Sequence, residues 1–170
     1  MYIAIVIVVY IIFAKIFVDW KRWKEFYPTI QYFIICNLAY NFIFFNHTLW
    51  AYKAVTVEWL NHTIIELVFS FFVIPVVIMI YLQYFPKGRK GVLYIAVWIA
   101  YFSIIELLFY KRGLFLYEND WGPIWSTFFN TIMFIILRIH HKKPLAAMLC
   151  SIPVIAILLY FFHPLYHELK

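Results

Sequence analysis

The tetrapeptide Ile-Ile-Glu-Leu occurs twice in this chain, inside "NHTIIELVFSFFVIP" and inside "YFSIIELLFY", and each copy sets one carboxyl group, Glu66 or Glu106, in an oily run. An ionised carboxylate at the centre of a bilayer costs at least about 2.5 to 3.5 kcal/mol. Carboxyls in such runs therefore face a bundle interior or water, where they donate a proton or hydrogen bond when protonated and bind a cation when ionised. Glu66 and Glu106 are the candidate catalytic residues.

Other polar groups recur at helical spacing in neighbouring runs. Asn37 and Asn41 stand four apart on one face, Glu66 with Ser70 and Glu106 with Tyr110 repeat that interval, and Ser126 with Asn130 does so again. Asn41, His47, Ser103, Tyr110, Trp121, Ser126 and Asn130 are the candidate ligand-binding residues, all expected in the outer half of a bundle. Structural readings compete with this one. Thr63-Ile64-Ile65-Glu66 fits a capping box, which would occupy the Glu66 carboxyl at a helix start. Glu106 sits late in its run, where the helix dipole disfavours it, and Lys111 or Arg112 is placed to snorkel toward it. Asn41 and Asn130 also suit interhelical hydrogen bonds.

His47, His62, Glu66 and Glu106 are ligand types at one depth, but no HxxxH or CxxC spacing joins them, so no metal is expected. No Gly-rich phosphate loop, GxSxG elbow or nucleotide-binding motif occurs, and no cofactor is expected. Both "NHT" triplets match the N-x-[ST] sequon, close to helix ends.

The elements that position these groups follow from composition. Of 170 residues 66% are hydrophobic and 13% charged, against about 25% charged in a soluble domain. Mean hydropathy is +0.87. Crossing a hydrocarbon core takes about 20 apolar residues in a helix. Six runs qualify: Tyr2 to Val18, a second after Pro28, Thr63 to Tyr84, Val92 to Tyr110, Ile124 to Ile139, and Leu145 to Phe162. They are too long and too evenly apolar for outer-membrane strands. The expected fold is all-α, a single polytopic transmembrane helical bundle of six membrane-spanning helices over 1–170. The first run lacks a positive leading segment and a small-residue cleavage site, so it is expected to remain as a helix. Pro75 and Pro153 should kink the third and sixth runs.

Charge orients the bundle. Of 14 Lys and Arg residues, Lys15, Lys21, Arg22, Lys24, Lys87, Arg89, Lys90, Arg138, Lys142 and Lys143 flank the first, third and fifth connections. Lys53, Lys111, Arg112 and Lys170 lie on the other side. Positive residues are retained in the cytoplasm, so both termini are expected to be extracytoplasmic. The net charge of +6 is a topology signal plus attraction to anionic headgroups, and needs no nucleic acid. Cys36 and Cys150 read as buried thiols, and His140 and His141 beside Lys142 and Lys143 as an interfacial anchor.

The stretches "WKRWKEFYPTI", "NLAYNFIFFNHTLWAY", "WIAYFSIIE" and "LRIHHKKPL" resemble a family of small, uncharacterised multi-spanning membrane proteins of endospore-forming Bacillota. The resemblance implies a multi-pass protein of the bacterial cytoplasmic membrane and no particular activity. The residues themselves favour an outward-facing polar pocket that takes a lipid or small amphiphile, with membrane lipids as partners. An acid-catalysed enzyme on an isoprenoid or lipid, analogous to small helical cyclases, is the alternative, with Glu106 as proton donor. A proton or cation transporter is another, and needs a polar path through the inner half.

Overall fold

A computed structural model describes residues 2–53, 61–162 and 164 of the chain. The described chain is mostly helical. Helix α1 spans Tyr2–Phe17, a 3-10 turn at Trp20–Arg22 leads into α2 (Trp23–Ile43), and α3 (His62–Val68) continues through a π-helical segment, Phe69–Val73, into α4 (Ile74–Gln83). Then follow α5 (Lys90–Lys111), α6 (Pro123–Lys142) and α7 (Pro144–Phe161). Three of these, His62–Gln83, Lys90–Lys111 and Pro144–Phe161, are long and apolar enough to cross a membrane. Helices α2 and α6, at 21 and 20 residues, have the length for a crossing but carry the amides and hydroxyls that lower their hydropathy.

The central element is the rod from His62 to Gln83. Its inner turns bury Val76, Val77, Ile78, Met79 and Tyr81 among side chains of α1, α2 and α6. Tyr81 is fully buried, donates its hydroxyl to the Phe134 carbonyl at 2.9 Å, and meets the rings of Phe134, Tyr94 and Trp98. Helices α5 and α7 lie at the periphery, against α6. They present a bare apolar surface, with Val92 75%, Leu145 77% and Tyr160 76% exposed. A soluble protein does not leave so broad an apolar face in water, and hydrocarbon is its natural contact.

Sequence punctuation explains the irregularities. Pro75 cannot donate to the turn before it, and the rod widens to π geometry at Phe69–Val73, immediately ahead of the proline. Helix α2 starts at Trp23 and runs through Pro28, earlier than the expected start after that proline. Helix α3 begins one residue before Thr63, and the cap is Asn61, whose Oδ1 accepts from the Ile64 N–H at 3.0 Å. The capping-box expectation is thereby overturned: Glu66 lies beyond the first turn and takes no part in the cap. Asn61→Ala should lower stability by about 1 kcal/mol and Thr63→Ala by far less, read as melting temperatures of the purified chain. Equal losses would contradict this cap.

The all-α expectation also needs amendment. Residues Trp50–Tyr52 (β1) and Phe115–Tyr117 (β2) form a two-stranded antiparallel ribbon, with Trp50 opposite Tyr117, Ala51 opposite Leu116 and Tyr52 opposite Phe115. Backbone bonds from Lys53 N to Leu114 O and from Glu118 N to Leu49 O, both 2.9 Å, extend it. Gly113, at φ +67, ends α5 and turns the chain into β2, a conformation a side chain would strain. The ribbon ties the α2–α3 connection to the α5–α6 connection at one end of the bundle.

Candidate functional site

Beneath the ribbon lies a cavity of about 280 Å3, walled by α1, α2, the π-interrupted rod, α5, α6 and the ribbon itself. Because side chains alternate faces along a strand, Trp50 and Tyr52 both point to the cavity side, joined there by Phe115. Most of the wall is apolar or aromatic. Glu66, Glu106, Ser126 and Asn130 stand on it, four sequence-derived candidates from three helices brought to one place.

Glu66 is only 9% exposed. Its Oε1 accepts from Asn37 Nδ2 at 2.9 Å, and the same amide nitrogen lies 2.7 Å from Ser70 Oγ, to which it donates. Ser70 in turn donates to the Glu66 carbonyl at 2.7 Å, the back-bonding usual for a helical serine. The second carboxyl oxygen, Oε2, is buried without a hydrogen-bond partner. Asn130, 7% exposed on α6, has its Nδ2 buried and unpartnered as well. Each unsatisfied buried group costs about 1–3 kcal/mol. Two of them on the wall of one cavity call for an explanation.

Glu106 is held differently. Its Oε1 accepts from the Tyr117 hydroxyl at 2.6 Å, which fastens the end of α5 to β2. Burial, then the bond to Glu106, pushes the Tyr117 phenol well above the usual tyrosine range, so it stays a donor. Tyr52 is pushed the same way by burial, with the charges of Glu66 and Glu106 adding to it. One tyrosine of the ribbon therefore feels both carboxyls.

The remaining candidates are elsewhere. Asn41 donates to its own helix, to the Asn37 carbonyl at 2.9 Å, and is off the wall. Ser103 faces α6 and pairs with Thr127 Oγ1 at 3.3 Å. Tyr110 is 44% exposed and meets the Tyr117 ring at 4.7 Å, tilted by 42°. His47 is half-buried in the approach to β1, off the wall. Trp121 is buried in a second cluster with Phe44, Leu49 and Phe162, donating Nε1 to Ser126 Oγ at 2.9 Å. It supports the wall without forming it. The side chains overlooked as candidates include Asn37, Ser70, Trp50 and Tyr52, and the four-residue interval from Glu66 was a usable signal for Ser70.

The opposite end of the bundle corrects two further expectations. His140 is buried within the bundle instead of facing outward: it stacks on Tyr32 at 4.2 Å and its Nδ1 meets Thr29 Oγ1 at 3.1 Å, while Tyr32 bonds Ser151. Burial, then the neighbouring His141, lowers the His140 pKa, which suits a neutral ring following the run that ends at Ile139. Cys150 is exposed on the outer face of α7, and Cys36 is half-buried. Among the described residues, no group of three His, Cys, Asp or Glu is arranged to hold a metal.

No family model, curated protein or solved structure matches this chain.

Proposed function

We propose that this protein is a multi-pass protein of the bacterial cytoplasmic membrane whose ribbon-capped cavity binds a lipid or a small amphiphile. The observation that carries the reading is the cavity itself: an apolar chamber of about 280 Å3 whose polar equipment is buried and incompletely satisfied at Glu66 Oε2 and Asn130 Nδ2. Binding sites for small molecules combine a mostly apolar lining with a few placed polar groups. At about 30 Å3 per water-sized group, the space takes about nine such groups.

The same reading takes the bundle as six spans with both termini extracytoplasmic, and contacts at one end support it. Asp19 N donates to Gln83 Oε1 at 2.9 Å, Gln83 Nε2 to the Phe17 carbonyl at 3.0 Å, and Arg138 lies over Phe85 at 4.0 Å. Glu25 on α2 stands 3.6 Å from His141 on α6. These contacts gather the first, third and fifth connections, with their ten basic residues, at one end. On the positive-inside rule that end is cytoplasmic, so the cavity opens toward the other side.

The test is a thermal-shift screen of the purified chain against membrane lipids and small amphiphiles. At least one should raise the melting temperature, and Glu106→Gln with Asn130→Ala should abolish that shift while the protein stays folded. A panel with no effect, or shifts unchanged in the double variant, would remove the cavity as a binding site.

A further inference from the structure

We infer that the occupant is an organic ammonium amphiphile, with its charged nitrogen at Glu66 and an apolar tail among the aromatic side chains; this rests on the cavity being a binding site. The chain has a surplus of cations, 14 Lys and Arg against 8 Asp and Glu, yet among the described residues no Lys, Arg or His lines the cavity. Its wall carries two carboxyls instead. Asn37 and Tyr117 supply one neutral donor each, and Glu66 Oε2 is left with none. Buried carboxylates are ordinarily paired with a cation, and none of the described residues provides it.

The surroundings select the kind of cation. Ca2+ and Mg2+ take six or more oxygen ligands and Zn2+ four ligands, and no suitable cluster exists among the described residues. Aromatic faces attract ammonium groups, and Phe33, Trp50, Tyr52, Phe102 and Phe129 all contribute to this wall. An N–H on the nitrogen satisfies Glu66 Oε2. An oxygen elsewhere on the molecule, as a hydroxyl or carbonyl, satisfies Asn130 Nδ2. An amine of about nine non-hydrogen groups matches the space.

Three probes of equal length and different charge decide the matter: n-octylamine, n-octanol and n-octanoate, titrated at neutral pH into the full chain in neutral detergent and followed by tryptophan emission. Octylamine should bind the wild-type protein at least about tenfold more tightly than either of the others, and Glu66→Gln should remove that preference. If octanol or octanoate binds as tightly as octylamine, the cavity still binds amphiphiles and the ammonium assignment falls. If none of the three binds saturably, the assignment and the binding site fall together. Should Glu66→Gln not fold, the order of the three affinities in the wild-type protein is sufficient to uphold or overturn the assignment.

Discussion

Asn37→Leu lowers the stability of the folded chain by about 3 kcal/mol, and adding Glu66→Leu restores most of it. The single substitution deletes the donor to Glu66 Oε1 and leaves both oxygens of a buried carboxyl unpaired, since Oε2 already has no partner. Hydrogen bonds to charged groups contribute about 1.5–3 kcal/mol, and stranding a buried polar group adds its own desolvation penalty. Leucine brings no polar atom to compensate. Replacing Glu66 as well removes the stranded group, and apolar pairs of suitable shape substitute for buried polar pairs at little cost. Denaturant unfolding of the four proteins of this double-mutant cycle measures the coupling. Additive losses would mean that Asn37 and Glu66 do not depend on one another, and the polar side of the cavity would need a different account.

The Asn37–Glu66 bond joins α2 to α3, and the two helices differ in how far sequence alone defines them. Long apolar runs bounded by Lys, Arg, Gly and Pro have few alternatives to a helix, so the α5, α6 and α7 ends follow the sequence within a few residues. Glu66, Glu106, Ser126 and Asn130 share a wall because helices that alternate direction return polar groups to one level. Helical phase decides the exceptions. Ser103 is three residues from Glu106 but turns toward Thr127, while Tyr110, a full turn further out, has left the cavity for Tyr117.

Other features depend on partners that sequence does not announce. Three-residue strands are too short for an alternation signal, so "WAY" and "FLY" read as loop until they are seen facing each other. Asn61 and Thr63 are both good caps, and only the backbone direction at Asn61 chooses between them. His140 stands beside Lys142 and Lys143, which argues for the interface, yet Tyr32 and Thr29 on α2 give it a buried place.

Trp50→Ala should cost the ribbon about 3 kcal/mol of local stability while leaving the helical core intact. Trp50 stacks face to face on Tyr40, with ring centres 4.3 Å apart and planes 5° from parallel, and also meets Trp121 at 5.4 Å and Phe129 at 5.7 Å. Aromatic pairs contribute about 0.5–1.5 kcal/mol each beyond the area they bury, and a two-stranded ribbon has little stability of its own. Its anchorage is therefore side-chain packing on α2 and α6, together with the Tyr117–Glu106 bond. Hydrogen exchange separates the two levels of stability. Amides paired across Trp50–Tyr52 and Phe115–Tyr117 should exchange about a hundredfold faster in the variant, since each 1.4 kcal/mol is a factor of ten. Those around Val77 and Phe134 should not change. Unaltered protection of the ribbon would show that Trp50 does not hold it, and uniform acceleration everywhere would make the ribbon part of the global fold instead of a separately anchored cap. In the expected case the cap can loosen without unfolding the helices, which widens the chamber on the side that Trp50, Tyr52 and Phe115 line.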